Sequence, residues 1–370
     1  MLPRTVLSGP RRPGRYRRAV LAALAGGLLF GPSCAASFLP SSYVNSLRVL
    51  AVTIDAPYAA PGDEVTFRMT VHDGLDPVNG PRAIQVVWIG GCFDPEGDRY
   101  YLCFQQLAET LAGLAGGGPP PTELLKLDLV APTSSGVPDL SSFTLRLPDD
   151  IISRRPPPVS GPHYGIGYVF FAACAGTLAP GELTSPSGGA VPDFPIKCLD
   201  ANGQEQGPES FVPGYTQVYA FADGRSNTPP PVAGIRLGDF ELPEDAALAP
   251  TVPRCPLTAD DRRKSGCARP TDDACVDLDF EVLVGDVAEV DPDSKGPLGE
   301  TRREVVWESH FADGGDFASD LLLVSSSEGG PQPHVTSWTP PSEPGVVTFW
   351  AVGRDQRGGA SVVRRFVRVE

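Results

Sequence analysis

The sequence predicts an all-β protein: two β-sandwiches in tandem, the first interrupted by a loop-rich insertion that contains a short helix. Three observations predict it. Glycine and proline each occur 41 times in 370 residues, so turn chemistry separates short apolar runs along the whole chain. Two of those runs alternate: Val65, Phe67, Met69 and Val71 with Glu64, Thr66, Arg68, Thr70 and His72, and Val276, Leu278, Phe280, Val282 and Val284 with Asp277, Asp279 and Glu281. A period of two with one apolar face marks a half-buried antiparallel strand. Finally, Gln85-Val-Val-Trp88 follows the first run and Glu304-Val-Val-Trp307 the second, which reads as one β unit used twice. Core packing is expected of both tryptophans, in preference to a role as ligand platforms.

In chain order the N-terminus comes first. Arg4, Arg11, Arg12, Arg15, Arg17 and Arg18 precede an apolar run at 19–30 that ends on Gly31-Pro32. A positive flank, a short apolar core and a breaker before small residues make an export signal, assigned to 1–36. The run falls short of the ~20 residues a membrane-spanning helix needs, so cleavage is favoured over a permanent tether. With Ser33-Cys34 just past the core, the segment resembles the signals of bacterial lipoproteins, although Gly31 and Pro32 depart from the usual lipobox. That resemblance implies a diacylated Cys34 as the mature N-terminus and a membrane partner reached through the lipid. The alternative is an ordinary cut near Ala36 and a freely secreted or periplasmic protein.

Residues 37–46 read as a polar tether. Leu47–Ile54 is β-rich, Pro61-Gly-Asp63 is a turn, and the alternating run and Gln85–Trp88 supply the next strands of a first body at 47–226. The insertion spans 104–158; Leu107, Leu111 and Leu114 at helical spacing before Gly116-Gly-Gly-Pro-Pro-Pro121 predict a short amphipathic helix, expected to act as a lid. Runs at 164–174 and 215–221 close this body, separated by a Gly/Pro-rich excursion that holds Cys198. Pro229-Pro-Pro231 stiffens a linker at 227–234. The second body, 235–370, ends in strands at 346–352 and 361–369 around the turn Asp355-Gln-Arg-Gly-Gly359.

Cys92, Cys103, Cys174, Cys198, Cys255, Cys267 and Cys275 contain no C-x-x-C pair, which argues for disulfides in an oxidising compartment over a zinc or redox motif. Proximity pairs Cys92 with Cys103, Cys174 with Cys198, and two of Cys255, Cys267 and Cys275, leaving one thiol over. The formal charge of −15 becomes −21 once the six leader arginines are gone, and such a field disfavours nucleic acid.

No catalytic residue, cofactor or metal site is assigned. His72, His163, His310 and His334 never fall at the i, i+4 spacing of a helical metal site, and His72 sits on the polar face of its strand, where it is expected to be solvated. Neither G-x-S-x-G nor a phosphate loop occurs. Asp291-Pro-Asp293-Ser-Lys-Gly296 has Lys295 and Arg302 where a calcium loop needs oxygen ligands, so it reads as a polar turn.

Leu47–Ile54 with Ala60-Pro-Gly-Asp-Glu-Val-Thr66, and Pro344-Gly-Val-Val-Thr-Phe-Trp350 running on through Arg354-Asp355 and Gly358-Gly359 to Val369, are similar to bacterial cell-surface lipoproteins built from immunoglobulin-like domains. The resemblance implies two tandem immunoglobulin-like β-sandwiches. It further implies an exported protein, anchored at the outer membrane or cell surface, that has a binding, adhesion or envelope-structural role toward a protein or glycan ligand. Alternatives are a carbohydrate-binding or accessory module of an envelope complex, and a hydrolase with a loop-built site.

Overall fold

The computed structural model describes residues 39–75, 82–115, 124–130, 140–181, 194–263, 274–285, 288–330 and 332–370. The export signal, Cys34 and Cys267 lie outside them. One unit takes 1–39 and 260–272, of which Leu39 and part of a short helix, Ala259–Arg263, are described. The other unit, 40–259 with 273–370, holds every described strand.

Its first half runs β1 (Leu47–Ile54), β2 (Tyr58–Ala59), β3 (Glu64–Asp73), β4 (Ile84–Phe93), helix α1 (Phe104–Ala115), β5 (Leu125–Val130), β6 (Leu140–Arg146), β7 (Tyr164–Cys174), β8 (Thr177–Pro180), β9 (Ile196–Leu199) and β10 (Phe211–Phe221). A three-stranded sheet β1-β3-β6 and a five-stranded sheet β2-β10-β7-β4-β5 share one core, and β8-β9 form a separate ribbon. The alternating run of β3 places Val65, Phe67, Met69 and Val71 inward, all nearly inaccessible. Trp88 on β4 stacks on Phe143 of β6 and donates its indole N–H to Ser141 Oγ (2.7 Å), which in turn donates to Asp128 Oδ2 (2.5 Å). A tryptophan can be buried here because its one donor is satisfied.

The expected insertion at 104–158 is shorter than the sequence suggests. Strands β5 and β6 lie inside it and pair with β4 and β3. Among the described residues of that stretch, α1 is the element that lies outside the two sheets. Leu107 and Leu111 of α1 pack on Val87, Ile89 and Phe170, on the side of the five-stranded sheet opposite the core. That second covering explains why Tyr164–Cys174 reads as a continuous apolar run: β7 is buried on both faces.

The second half runs β11 (Val232–Leu237), β12 (Phe240–Glu241), β13 (Thr251–Val252), β14 (Leu278–Val284), β15 (Val290–Lys295), β16 (Thr301–Arg303), β17 (Val306–Ala312), β18 (Asp316–Phe317), β19 (Leu321–Ser325), β20 (Val335–Thr339), β21 (Gly345–Asp355) and β22 (Ala360–Val369). Sheets β12-β11-β14-β20-β18 and β13-β22-β21-β17-β19 enclose a second core. In both halves a two-residue strand runs parallel to the last long strand, β2 to β10 and β13 to β22; the other pairings between described strands are antiparallel, and the isolated bridge of Tyr43 to Ala312 is parallel. This strand order is that of an immunoglobulin-like sandwich. The Asp291–Gly296 segment falls mostly in β15, a two-stranded ribbon with β16 in which Lys295 Nζ donates to Thr301 Oγ1 (2.8 Å).

The repeated Val-Val-Trp is out of phase between the halves. Val86 and Trp88 point into the first core, whereas in β17 the inward residues are Val306, Glu308, His310 and Ala312, and Trp307 lies half-exposed on the other face. A one-residue offset reverses every side chain of a strand. The buried tryptophan of the second core is instead Trp338 on β20, edge-on to Phe349.

The two halves touch. Trp350 on β21 packs with Val44 and Leu50, and His72 lies on its ring at 4.7 Å. His72 is therefore not a solvated surface residue: the polar side of β3 meets a neighbouring sheet there. In the expected tether, Val44 N–H donates to Ala312 O (2.8 Å) and Ala312 N–H to Ser42 O (2.9 Å). In the linker, Asn227 Nδ2 donates to both oxygens of Asp355 (3.3 and 3.1 Å).

Candidate binding site

The structure pairs Cys92 with Cys103, Cys174 with Cys198, and Cys255 with Cys275. The first of these bridges closes a loop, 93–103, over one end of the five-stranded sheet. Beside that loop the outer face of β7 and β10 is lined with tyrosines.

Local sequence makes this face. In Tyr164-Gly-Ile-Gly-Tyr168 the two glycines turn inward, and a Cβ on Gly165 would stand 2.7 Å from Ile151 Cγ1, so only glycine lets the strand settle there. The alternation then sends Tyr164, Ile166 and Tyr168 outward. On β10, Val218 and Ala220 face the core, leaving Tyr215, Gln217 and Tyr219 outside. Pairing sets Tyr219 opposite Ile166 and Gln217 opposite Tyr168. Tyr219 and Tyr164 meet at 5.6 Å and 71°, Tyr215 and Tyr168 at 5.8 Å and 67°, and Tyr100 from the loop stacks on Tyr215 at 4.1 Å. Tyr215 is 44% exposed, and Tyr58, Tyr100, Tyr164 and Tyr219 are half-buried.

A polar cluster stands at the rim. Asp98 accepts from Tyr164 Oη (2.7 Å) and Arg155 Nη1 (2.8 Å), and its backbone carbonyl accepts from Tyr168 Oη (2.7 Å). Asp94 accepts from the Ile166 backbone N–H (2.9 Å) through Oδ1, while its Oδ2 is buried without a hydrogen-bond partner among the described residues. Asp94 and Asp98 both have positive φ, 47° and 56°. Aspartate tolerates that conformation better than most residues, and here it aims both carboxylates at β7. Burial pushes the Asp94 carboxyl above its ordinary range against the pull of the Ile166 N–H and Arg155. Burial likewise raises Tyr168, Tyr215 and Tyr219, and the bond to Asp98, followed by burial, raises Tyr164, so all four hydroxyls keep their protons near neutrality.

Sequence reasoning assigns these tyrosines only to late strands. The available signal is the pair Tyr164/Tyr168 and Tyr215/Tyr219, each four apart and so on one face of a strand. The register that joins them is set by tertiary pairing. Of the histidines, His163 contacts Arg155 O (3.1 Å) beside the rim, His310 is sealed in the second core, and His334 bonds to Gln332 O (2.9 Å). Among the described residues no group of three or more His, Cys, Asp or Glu is placed to hold a metal ion.

No protein-family model matches the chain. No curated protein matches it either. Among solved structures it is similar to latent PorU from Porphyromonas gingivalis, at 12% identity and TM-score 0.20 over 89% of this chain and 24% of that one. Trypsin-activated alpha-2-macroglobulin from Escherichia coli matches at 11% and 0.21 over 90% of this chain and 18% of that one. The fibronectin(III)-like modules of Clostridium thermocellum CbhA match at 10% and 0.19 over 86% and 93%. The chain thus spans about a quarter or less of the first two. Scores of this size carry no argument about ligand or activity.

Proposed function

We propose that this chain is a non-catalytic, exported binding protein, tethered to the envelope through a lipidated Cys34, and that it engages its ligand on the tyrosine face of β7 and β10. The observation that carries the reading is the row itself: aromatic rings held half-exposed on a rigid sheet and rimmed by a carboxylate cluster are the usual lining of a recognition site. Three disulfides support export, since such bonds persist in oxidising compartments. No described helix is long and apolar enough to cross a membrane.

The groups most suggestive of catalysis support the non-catalytic side of this reading. Glu308 and His310 hydrogen-bond at 3.0 Å with both side chains wholly inaccessible, so no substrate reaches them. Ser141, beside Asp128, is 1% exposed and engaged by Trp88.

Two measurements test the proposal. Mass spectrometry of the mature N-terminus is expected to find a diacylated Cys34; an unmodified start at Ser37 removes the tether. Retention of the purified protein on envelope fractions of the producing cells is expected to fall at least tenfold in Tyr215→Ala. Retention indifferent to Tyr215 and Tyr219 removes the face.

A further inference from the structure

Resting on that reading, we infer that the ligand is an uncharged polysaccharide laid along β10, with Tyr215 and Tyr219 as its two stacking positions. Four residues separate these tyrosines on one strand face, a distance of roughly 13 Å at ~3.3 Å per residue. That is longer than one sugar ring, so the pair addresses a chain and not a monosaccharide. Each ring is held in place, Tyr215 by Tyr100 stacked on one of its faces at 4.1 Å with Tyr168 edge-on, and Tyr219 by Tyr164 edge-on, which leaves the other face of Tyr215 for the ligand. A ring fixed before the ligand arrives loses little freedom on binding.

The polar groups between and beside the rings suit hydroxyls. Gln217 projects between the two tyrosines and donates to Tyr219 Oη (2.6 Å), so the hydroxyl proton of Tyr219 is not engaged by that bond. At the rim, the Asp94 side chain is 8% exposed and its Oδ2 lacks a partner among the described residues, a buried acceptor of the kind a hydroxyl donor satisfies. A sugar chain offers C–H faces to the rings and hydroxyls at its edges, matching both elements at once.

Charge decides against an anionic polymer. The cations at this face are already paired: Arg155 with Asp98 and Asp94, and Arg225, which lies over Phe221, with Asp223 and Asp293. Arg155 also covers Tyr164 at 4.5 Å. On a chain of net charge −15, polyanions find no uncommitted cation here among the described residues and a repulsive field around it.

The test is affinity electrophoresis and calorimetry of the full mature protein against a soluble β-glucan, a glucomannan and an α-glucan, with alginate as the anionic probe. Binding is expected to at least one neutral polysaccharide and not to alginate, with little response to salt. Tyr215→Ala and Tyr219→Ala should each weaken it about tenfold, the loss of one aromatic contact, and Tyr215→Phe by less than about threefold. Asp94→Asn, which keeps the volume, should weaken it measurably; circular dichroism confirms that the variants fold. Failure of all three neutral probes, or binding to alginate alone, overturns the inference. If envelope retention still depends on Tyr215 and Tyr219 in that case, the face stands and its partner is a protein; if it does not, the face falls as well.

Discussion

Glu308 and His310 occupy inward positions of β17, where alternation calls for apolar side chains. Their 3.0 Å bond and the contact of His310 Nδ1 with Ser319 O (3.3 Å) satisfy the imidazole, but Glu308 Oε2 has no partner among the described residues. Breaking such a pair strands one polar group in the core, at a cost of about 3–5 kcal/mol, whereas replacing both by apolar groups is often neutral or stabilising. Denaturant melts of Glu308→Leu and His310→Phe should therefore each show a large loss, and the double variant should recover most of it. Asp73 and Arg82 pose the problem differently. The Arg82 guanidinium forks onto Asp73 (2.7 and 2.9 Å) and reaches Ser210 Oγ (2.8 Å), joining the two sheets of the first sandwich. Burial alone would raise the Asp73 carboxyl, but the Arg82 bond and charge, with the Leu75 and Arg82 N–H groups, hold it below its ordinary 3.8. A depressed carboxyl contributes stability that is complete above that value and disappears as pH falls through the folded one. Arg82→Ala should cost about 3–5 kcal/mol at neutral pH and move the onset of acid unfolding upward. Neither pair is visible in the sequence, because each residue taken singly reads as an ordinary polar position.

At the scale of elements, α1 is legible from Leu107 and Leu111, and it turns an open sheet face into a buried one. Leu107, 2% exposed, packs with Val87 and Phe170; Leu107→Ala should lose about 2–5 kcal/mol in thermal or chemical melts. The Cys92–Cys103 bridge, 11 residues apart, holds the loop that carries Asp98 and Tyr100. Replacing both cysteines by serine should cost about 2–4 kcal/mol, and because Tyr100 stacks on Tyr215, it should weaken ligand binding beyond what global stability explains. Strands β3 and β14 are legible because their alternation is clean. Strands β5 and β6 are not: Leu127 and Leu129 point out to solvent at 60% and 68% exposure, and β6 opens on Leu140-Ser-Ser142. The Val-Val-Trp match misleads for a related reason, since composition does not record which face a residue takes. For the tyrosine face, the outward spacing is in the sequence and the register between β7 and β10 is not.

Over the whole molecule, the two sheet sets are joined by named contacts. Arg354 Nη2 donates to Leu50 O (2.9 Å), Arg357 lies over Tyr58 while bonded to Glu304 (2.7 Å) and Glu289, and His72 rests on Trp350. Burial lowers the His72 pKa from 6.5, with Arg364 adding to the effect and Asp73 opposing it. A histidine whose folded pKa is depressed contributes fully above the unfolded value and loses that contribution as pH falls below it. The join should therefore weaken progressively below pH 6.5, and His72→Phe should flatten the profile in melts taken below that pH. The sequence shows two β-rich halves, but the side chains that cement them are scattered over 44–357 and acquire meaning only in space.

The bridge between Ser42–Val44 and Ala312 sets where mechanical load enters. A pull on a chain anchored at Cys34, as proposed, would meet the hydrogen bonds to β17, an inner strand of a five-stranded sheet in the C-terminal half, before it reaches β1. With such an anchor, the two hydrogen bonds between Ser42–Val44 and Ala312 would have to part before β1 is loaded.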